Sequence, residues 1–255
     1  MEILFLGTSA GWPLPRLGCN CEICSSTDPK DIRLRPSLLI NKQILIDAGP
    51  DIYQQIKKFN LDPREITHIL ITHGHEDHFI GLYDLSHIYD LKDKIKLLAT
   101  QRVLSEMRRL VGISMRAFRI QEIKPFEKIN LGKDSSASFI PVEHGNTEAY
   151  AIKIKAPKPI FYALEFRKIL PSARKELGNC DLAIIDGSSK TSYGQARGHE
   201  TIEEGIRLGR EIQAKKILFT NIGHKTDRHV NISAFVKEKG GDKFGISFDG
   251  LEVKL

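Results

Sequence analysis

The chain has 255 residues, 41% hydrophobic and 27% charged, with a formal net charge of +6 and a pI near 9.0. That length can bury one large core, so one domain spanning 1–255 is expected rather than two. Apolar stretches reach only about five to seven residues against the roughly 20 needed to span a bilayer, which excludes a membrane-spanning helix.

Taken in chain order, Met1-Glu-Ile-Leu-Phe-Leu-Gly has no basic segment and too short an apolar run for a signal peptide. It reads as a first strand over 3–6, and the expected location is the cytoplasm. A long loop over 8–36 follows, then strands at 37–40 and 44–46, a helix at 52–59 and a buried strand at 66–71. The pattern continues with a strand at 96–99, a helix at 102–111 and strands at 138–142, 149–154 and 160–162. A helix at 167–177, a strand at 182–185, a long loop at 187–198 and a helix at 200–214 come next. A strand at 217–219, a helix at 232–239 and a terminal strand from 245 complete the chain. Strands in groups with helices between the groups, rather than strict βαβ alternation, predict two sheets with outer helices. Long ordered loops in compact domains are usually functional, which directs attention to 8–36 and 187–198.

The strongest chemical signal is His73-Gly-His75-Glu-Asp77-His78, placed directly after the apolar run 68–72. Alternating histidines at a strand end project the same way, which suits two nitrogens on one divalent ion. Asp77 and His78 can then reach a second ion, and two-metal sites hold their ions roughly 3.5–4 Å apart. The cysteines form a second cluster, Gly18-Cys-Asn-Cys-Glu-Ile-Cys24. Three thiolates this close cannot all pair with one another, but they can share a tetrahedral zinc whose fourth ligand comes from elsewhere. A redox thiol pair or an unligated loop are the competing readings. Cys180 opens a strand and is expected in the core. The positive charge favours anionic ligands such as phosphates or nucleic acid, although the basic residues are scattered and form no block.

Taken together, these motifs resemble the metallo-β-lactamase superfamily, and the resemblance runs the length of the chain. It is carried by Leu6-Gly-Thr, Leu45-Ile-Asp47-Ala-Gly49, the His73–His78 element, His144 after a strand, and Phe219-Thr-Asn221-Ile-Gly-His224. The extra cysteine cluster makes the chain similar to the PhnP-type cyclic phosphodiesterases. The fold this implies is an α/β four-layer αββα sandwich with a metal site along one edge of the sheets. By the same resemblance His73, His75 and His144 hold a first ion, and Asp77 and His78 a second. Cys19, Cys21, Cys24 and His224 hold a structural zinc, and Asp47 orients the metal-binding histidines. His199 would stand beside the scissile phosphate and protonate the leaving oxygen. Two positions depart from the family pattern: Glu165 stands where the family has a metal-bridging Asp, and Asn221 replaces the last histidine of the second site. An amide oxygen is a weak, neutral zinc ligand, so the second site is expected to be the weaker one.

The implied cofactors are a structural zinc and one or two catalytic ions, zinc or manganese. An ion held by neutral imidazoles lowers the pKa of a bound water from 15.7 to about 7, which supplies hydroxide for phosphodiester hydrolysis. Lys190 and Arg197, in the loop before His199, are candidates for phosphate contact. The expected partner is a small cyclic or nucleotide-like phosphodiester; nucleic acid is less favoured, no membrane is expected, and a homodimer is left open. Two alternatives stand beside this reading. One is a tRNA 3′-processing nuclease, which the basic pI and Gly198-His199-Glu200-Thr201 suggest. The other is a non-hydrolytic accessory protein similar to the pyrroloquinoline-quinone biosynthesis B proteins.

Overall fold

The computed structural model describes the chain apart from residues 92–94, 133, 175, 177 and 193–197. Its strands form two sheets. The first contains β1 (Glu2–Gly7), β2 (Ser37–Ile40), β3 (Ile44–Ile46), β4 (His68–Leu70), β5 (Lys96–Thr100), β6 (Arg119–Ile123) and β15 (Glu252–Lys254). Its order is β15-β1-β2-β3-β4-β5-β6, antiparallel as far as β3 and parallel from β3 to β6. The second is made of β7 (Ile129–Gly132), β8 (Ser135–His144), β9 (Thr147–Lys155), β10 (Ile160–Ala163), β11 (Lys168–Ile169), β12 (Leu182–Asp186), β13 (Lys216–Thr220) and β14 (Phe244–Ile246). Here the order is β11-β8-β9-β10-β12-β13-β14, with β7 paired to β8. The helices are α1 (Ile52–Lys58), α2 (Leu82–Leu85), α3 (Gln101–Val111), α4 (Pro171–Arg174), α5 (Ile202–Glu211) and α6 (His229–Gly240).

Three buried clusters define the layers. Phe5, Leu38, Ile46, Phe139, Ile152 and Ile184 meet between the sheets. Leu39, Leu45 and Ile69 face away from them and pack on Ile52, Val103 and Met107 of α1 and α3. On the far side Phe161, Ala183 and Ile217 pack on Ile206 of α5 and Val236 of α6. Neighbours such as Leu38 and Leu39 go to opposite clusters, as the two-residue period of a strand requires, and both faces are covered. The result is the αββα sandwich expected from the sequence. A capping box starts α5: the Thr201 hydroxyl accepts from the Glu204 backbone N–H while the Glu204 carboxylate accepts from that of Thr201. Gly205 then lets the helix lie flat on β13, since a Cβ there would sit 2.5 Å from the Phe219 ring.

Some expectations need correction. The helix read over 167–177 is instead β11, which pairs with Glu143 and Val142 of β8, followed by the short α4. β6 and β7 go unrecognised in the sequence because β6 is largely exposed and polar and β7 is only four residues long. The terminal strand divides into β14 and β15, which join different sheets. Among the described residues no helix is long and apolar enough to cross a membrane.

The two sheets are stitched together at one edge. His73 bridges to Ala149, and the Tyr150 N–H donates to the Thr72 carbonyl at 3.1 Å. The strand ends of both sheets meet there.

Candidate metal centre and cavity

Each candidate side chain at this edge is delivered by the end of a strand. Asp47 follows β3, the His73–His78 loop follows β4, His144 ends β8, Glu165 follows β10, Asp186 ends β12 and Asn221 follows β13. Asp47, Glu165 and Asn221 all take positive φ, at 59°, 55° and 64°. Three non-glycine residues in the left-handed region at one edge is the backbone strain that clusters at functional sites. Gly49 is required beside them because a Cβ there would lie 2.0 Å from the Asp77 carbonyl oxygen.

One donor atom from each of His73, His75, His144 and Glu165 lies within 4.8 Å of the others. His73 Nε2 and His75 Nδ1 face each other at 2.9 Å, and His144 Nε2 is 3.5 Å from Glu165 Oε2. The opposite ring nitrogens are all engaged. His73 Nδ1 meets the Thr72 hydroxyl at 3.0 Å, His75 Nε2 the Thr147 hydroxyl at 3.1 Å, and His144 Nδ1 donates to the Gly198 carbonyl at 3.0 Å. Such contacts fix tautomer and ring orientation and leave one nitrogen per ring free for an ion. Burial pushes His73 well below the ordinary histidine range and lowers His75 as well, which keeps both imidazoles in the neutral form that metals take.

Asp47 is the hub behind these rings. Its carboxylate accepts from the Thr72 backbone N–H at 2.8 Å, from the Thr72 hydroxyl at 2.9 Å and from His78 Nδ1 at 2.8 Å. His78 therefore turns Nε2 toward Asp77 Oδ2, 3.4 Å away, and Glu165 Oε1, 3.9 Å away. Fully buried, that nitrogen has no hydrogen-bond partner among the described residues, and neither has Asn221 Oδ1. Orphaned buried polar atoms beside a carboxylate are of the kind that a bound cation satisfies. Glu165 spans the two groups: Oε2 faces His144 and His199, and Oε1 faces His78 and Asn221. Despite its extra methylene relative to aspartate, the carboxylate reaches toward both His144 and His78. The Asn221 amide N–H donates to Glu165 Oε1 at 2.8 Å and lies 3.4 Å from Asp186 Oδ1, while its oxygen has no hydrogen-bond partner among the described residues. That hydrogen bond steadies the Glu165 carboxylate.

His199 is held from both ends. Nδ1 donates to Asp186 Oδ2 at 2.7 Å, and Nε2 meets Glu165 Oε2 at 3.0 Å. Burial disfavours its charged form, but the two carboxylates override that and raise its pKa to about 11. Burial likewise works against ionised Glu165, yet contact with His199 holds it well below the usual carboxylate range.

The cysteine cluster closes as the sequence suggests. Donor atoms of Cys19, Cys21, Cys24 and His224 also lie within 4.8 Å of one another, across some two hundred residues of chain. Cys19 Sγ is 3.6 Å from His224 Nδ1. A tetrahedron with Zn–S of about 2.3 Å and Zn–N of about 2.0 Å has an edge of about 3.6 Å, so the donor set fits zinc. All four cysteines are free thiols, and Cys180 is buried in the core.

A cavity of about 600 Å3 opens over the histidines, with His75, Asp77, His144, Glu165 and His199 on its floor. Lys190 does not line it, contrary to the expectation of phosphate contact. Its ammonium pairs with Asp227 at 3.0 Å and lies over the Phe235 ring. Arg197 lies outside the described residues. Trp12, Arg16, Ser188 and Lys225 line the cavity and had no sequence signal of their own. Asp186 did have one, as a carboxylate ending a buried strand before a glycine.

An αββα sandwich with this histidine and carboxylate edge defines the metallo-β-lactamase class of folds. The chain belongs to that superfamily: residues 42–222 match the family described as the beta-lactamase superfamily domain. Among curated proteins it is 27% identical over 241 residues to an octanoyltransferase of Porphyromonas gingivalis, covering 90% of this chain. The chain spans about half of that relative, 47% of its length. Among solved structures it is similar to a diphosphatase from the PhnP family, with a TM-score of 0.86, 24% identity and coverage of 99% and 96% of the two chains. Zn2+-bound PqqB from Methylobacterium extorquens superposes with a TM-score of 0.84 at 21% identity, covering 100% of each chain. The fold is thus shared with proteins of differing chemistry, and the site must carry the functional argument.

Proposed function

We propose that this protein is a metal-dependent phosphodiesterase acting on a small cyclic or nucleotide-like phosphodiester. One observation carries the reading. His199 is fixed between Asp186 and Glu165, at 2.7 and 3.0 Å, beside the donor cluster and at the floor of an open cavity. An oriented acid next to a candidate two-ion site is the arrangement that hydrolysis of a diester requires.

His73, His75 and His144 would hold the first ion, His78 and Asp77 the second, with Glu165 shared between them. Ions bound there supply hydroxide at neutral pH and neutralise charge on the phosphoryl oxygens. The remaining work falls to the chain itself. Asp186 accepts the hydrogen bond from His199 Nδ1–H, so the proton available to a leaving oxygen is the one on Nε2. Glu165 accepts from that Nε2 until a substrate oxygen replaces it. Asn221 donates to the other oxygen of Glu165 and keeps the carboxylate turned between the two donor groups. His144 is locked by the Gly198 carbonyl, which couples the position of the first donor cluster to the loop that carries His199. In the structural cluster, Cys19, Cys21, Cys24 and His224 would hold zinc and pin the N-terminal loop to the turn after β13.

The test compares two leaving groups. His199→Ala should slow hydrolysis of an alkyl or ribose-type diester by about 10²-fold or more, and slow a p-nitrophenyl diester much less, because nitrophenolate leaves without a proton. Equal losses remove the acid role from His199. Asn221 favours a second reading, a non-hydrolytic accessory protein. Filled metal sites with no turnover of any phosphodiester select that one.

A further inference from the structure

Part of the cavity lining comes from the cysteine loop and the turn after β13, and three of its residues have no role so far. Trp12 is the chain's single tryptophan, and it stays 60% exposed at the cavity mouth. The Arg16 guanidinium lies over its indole, 5.2 Å from the ring centroid. Arg16 Nη1 lies 3.3 Å from His224 Nε2, the ring nitrogen that is not turned toward Cys19. Lys225, next to His224, also lines the cavity. Neither Arg16 nor Lys225 has a carboxylate partner among the described residues.

An exposed indole that shares a cavity with two cations lacking a carboxylate partner among the described residues is poorly suited to a bare sugar phosphate. A ribose ring has only a small, puckered C–H face to set against the indole and would leave most of it wet. It suits a flat aromatic group joined to an anion. We propose that the substrate's non-scissile side is a nucleoside, its base stacked on Trp12 and its phosphate oxygens held by Arg16 and Lys225. This rests on the phosphodiesterase reading of the neighbouring site and names its substrate class. Base stacking on an aromatic side chain sets the scale of the effect, about 10- to 100-fold in affinity per base. Arginine adds to such stacking and serves oxyanions with its fixed fork of donors.

The lone tryptophan makes the test direct. Metal-loaded protein is titrated with AMP and, separately, with ribose 5-phosphate while tryptophan emission is followed. AMP should give a saturable quench and ribose 5-phosphate none. By calorimetry, Trp12→Ala should weaken AMP binding about 10- to 100-fold, Trp12→Phe should restore most of it, and Arg16→Gln should weaken it about 10-fold. No quench by AMP, an equal response to both ligands, or unchanged AMP affinity in Trp12→Ala overturns the proposal. The two readings fail separately, because turnover of bis(p-nitrophenyl) phosphate by the parent protein reports only on the catalytic site.

Discussion

Replacing Asp47 by asparagine should damage the metal centre without touching a metal ligand. Asparagine is nearly isosteric and tolerates the left-handed backbone, so the φ of 59° at this position adds no strain. The defect is in the hydrogen bonds. Asp47 faces three donors, the Thr72 N–H and His78 Nδ1 each at 2.8 Å and the Thr72 hydroxyl at 2.9 Å. An amide has one acceptor oxygen, so in either orientation its NH2 confronts a buried N–H. Losing a hydrogen bond to a charged group costs about 1.5–3 kcal/mol. At about 2–4 °C per kcal/mol for a chain of this size, the apo-protein should melt about 3–12 °C lower. With His78 no longer held, metal affinity should fall about 10–100-fold. Differential scanning calorimetry of the apo-protein, paired with zinc or manganese titration against a competing chelator, measures both. Parental melting temperature together with parental affinity would refute the assignment of Asp47 as the hub.

Further outcomes follow from other contacts. Cys21→Ser should cost about one zinc per chain by elemental analysis and lower the melting temperature; an unchanged zinc content removes the structural-zinc assignment. Titration of the apo-protein should show one tight and one weaker event at the catalytic edge, and Asn221→His should tighten the weaker; two equal events in the parent count against it. Burial and the neighbouring Arg33 hold His229 down to about pKa 4, below its unfolded value near 6.5. The unfolded chain therefore binds the extra proton first, and this stability is complete above about pH 6.5 and lost as pH falls toward 4. The loss is about 1–3 kcal/mol. Urea unfolding of His229→Gln should show a flatter pH dependence across that window, and a profile parallel to the parent's contradicts the assignment.

What could be read in advance follows how local each signal is. The His73–His78 loop is six consecutive residues after a buried strand, so its chemistry shows in the sequence. The two sheets show in the grouping of strands with helices between the groups, and β2 and β3, buried on both faces, show as short apolar runs. β11 was misread because its two residues owe their conformation to Glu143 and Val142, which are distant in sequence. Lys190 looked available for phosphate only while Asp227, 37 residues on, was out of view. The oxygen of Asn221 shows in the sequence as a candidate ligand, but the contact of its N–H with Glu165 does not, because the two lie far apart in the chain. Trp12, Arg16 and Lys225 meet only after the chain has closed on itself, and nothing in their own neighbourhoods announces a shared wall.

The stitching of the two sheets at the His73–Ala149 bridge makes the candidate metal edge a seam. His73, His75, Asp77 and His78 stand on the first sheet's side, and His144, Glu165 and Asn221 on the second's. Neither half of the sandwich owns a complete set, so an ion bound there is bound only while the halves are docked. By mass action such an ion resists their separation by RT ln(1 + [M]/Kd), which makes it a rivet as well as a reagent. A chelator should therefore do more than silence the chemistry. It should open the protein along this one edge first, with hydrogen exchange rising at Thr72 and Tyr150 while the far ends of the same strands stay protected.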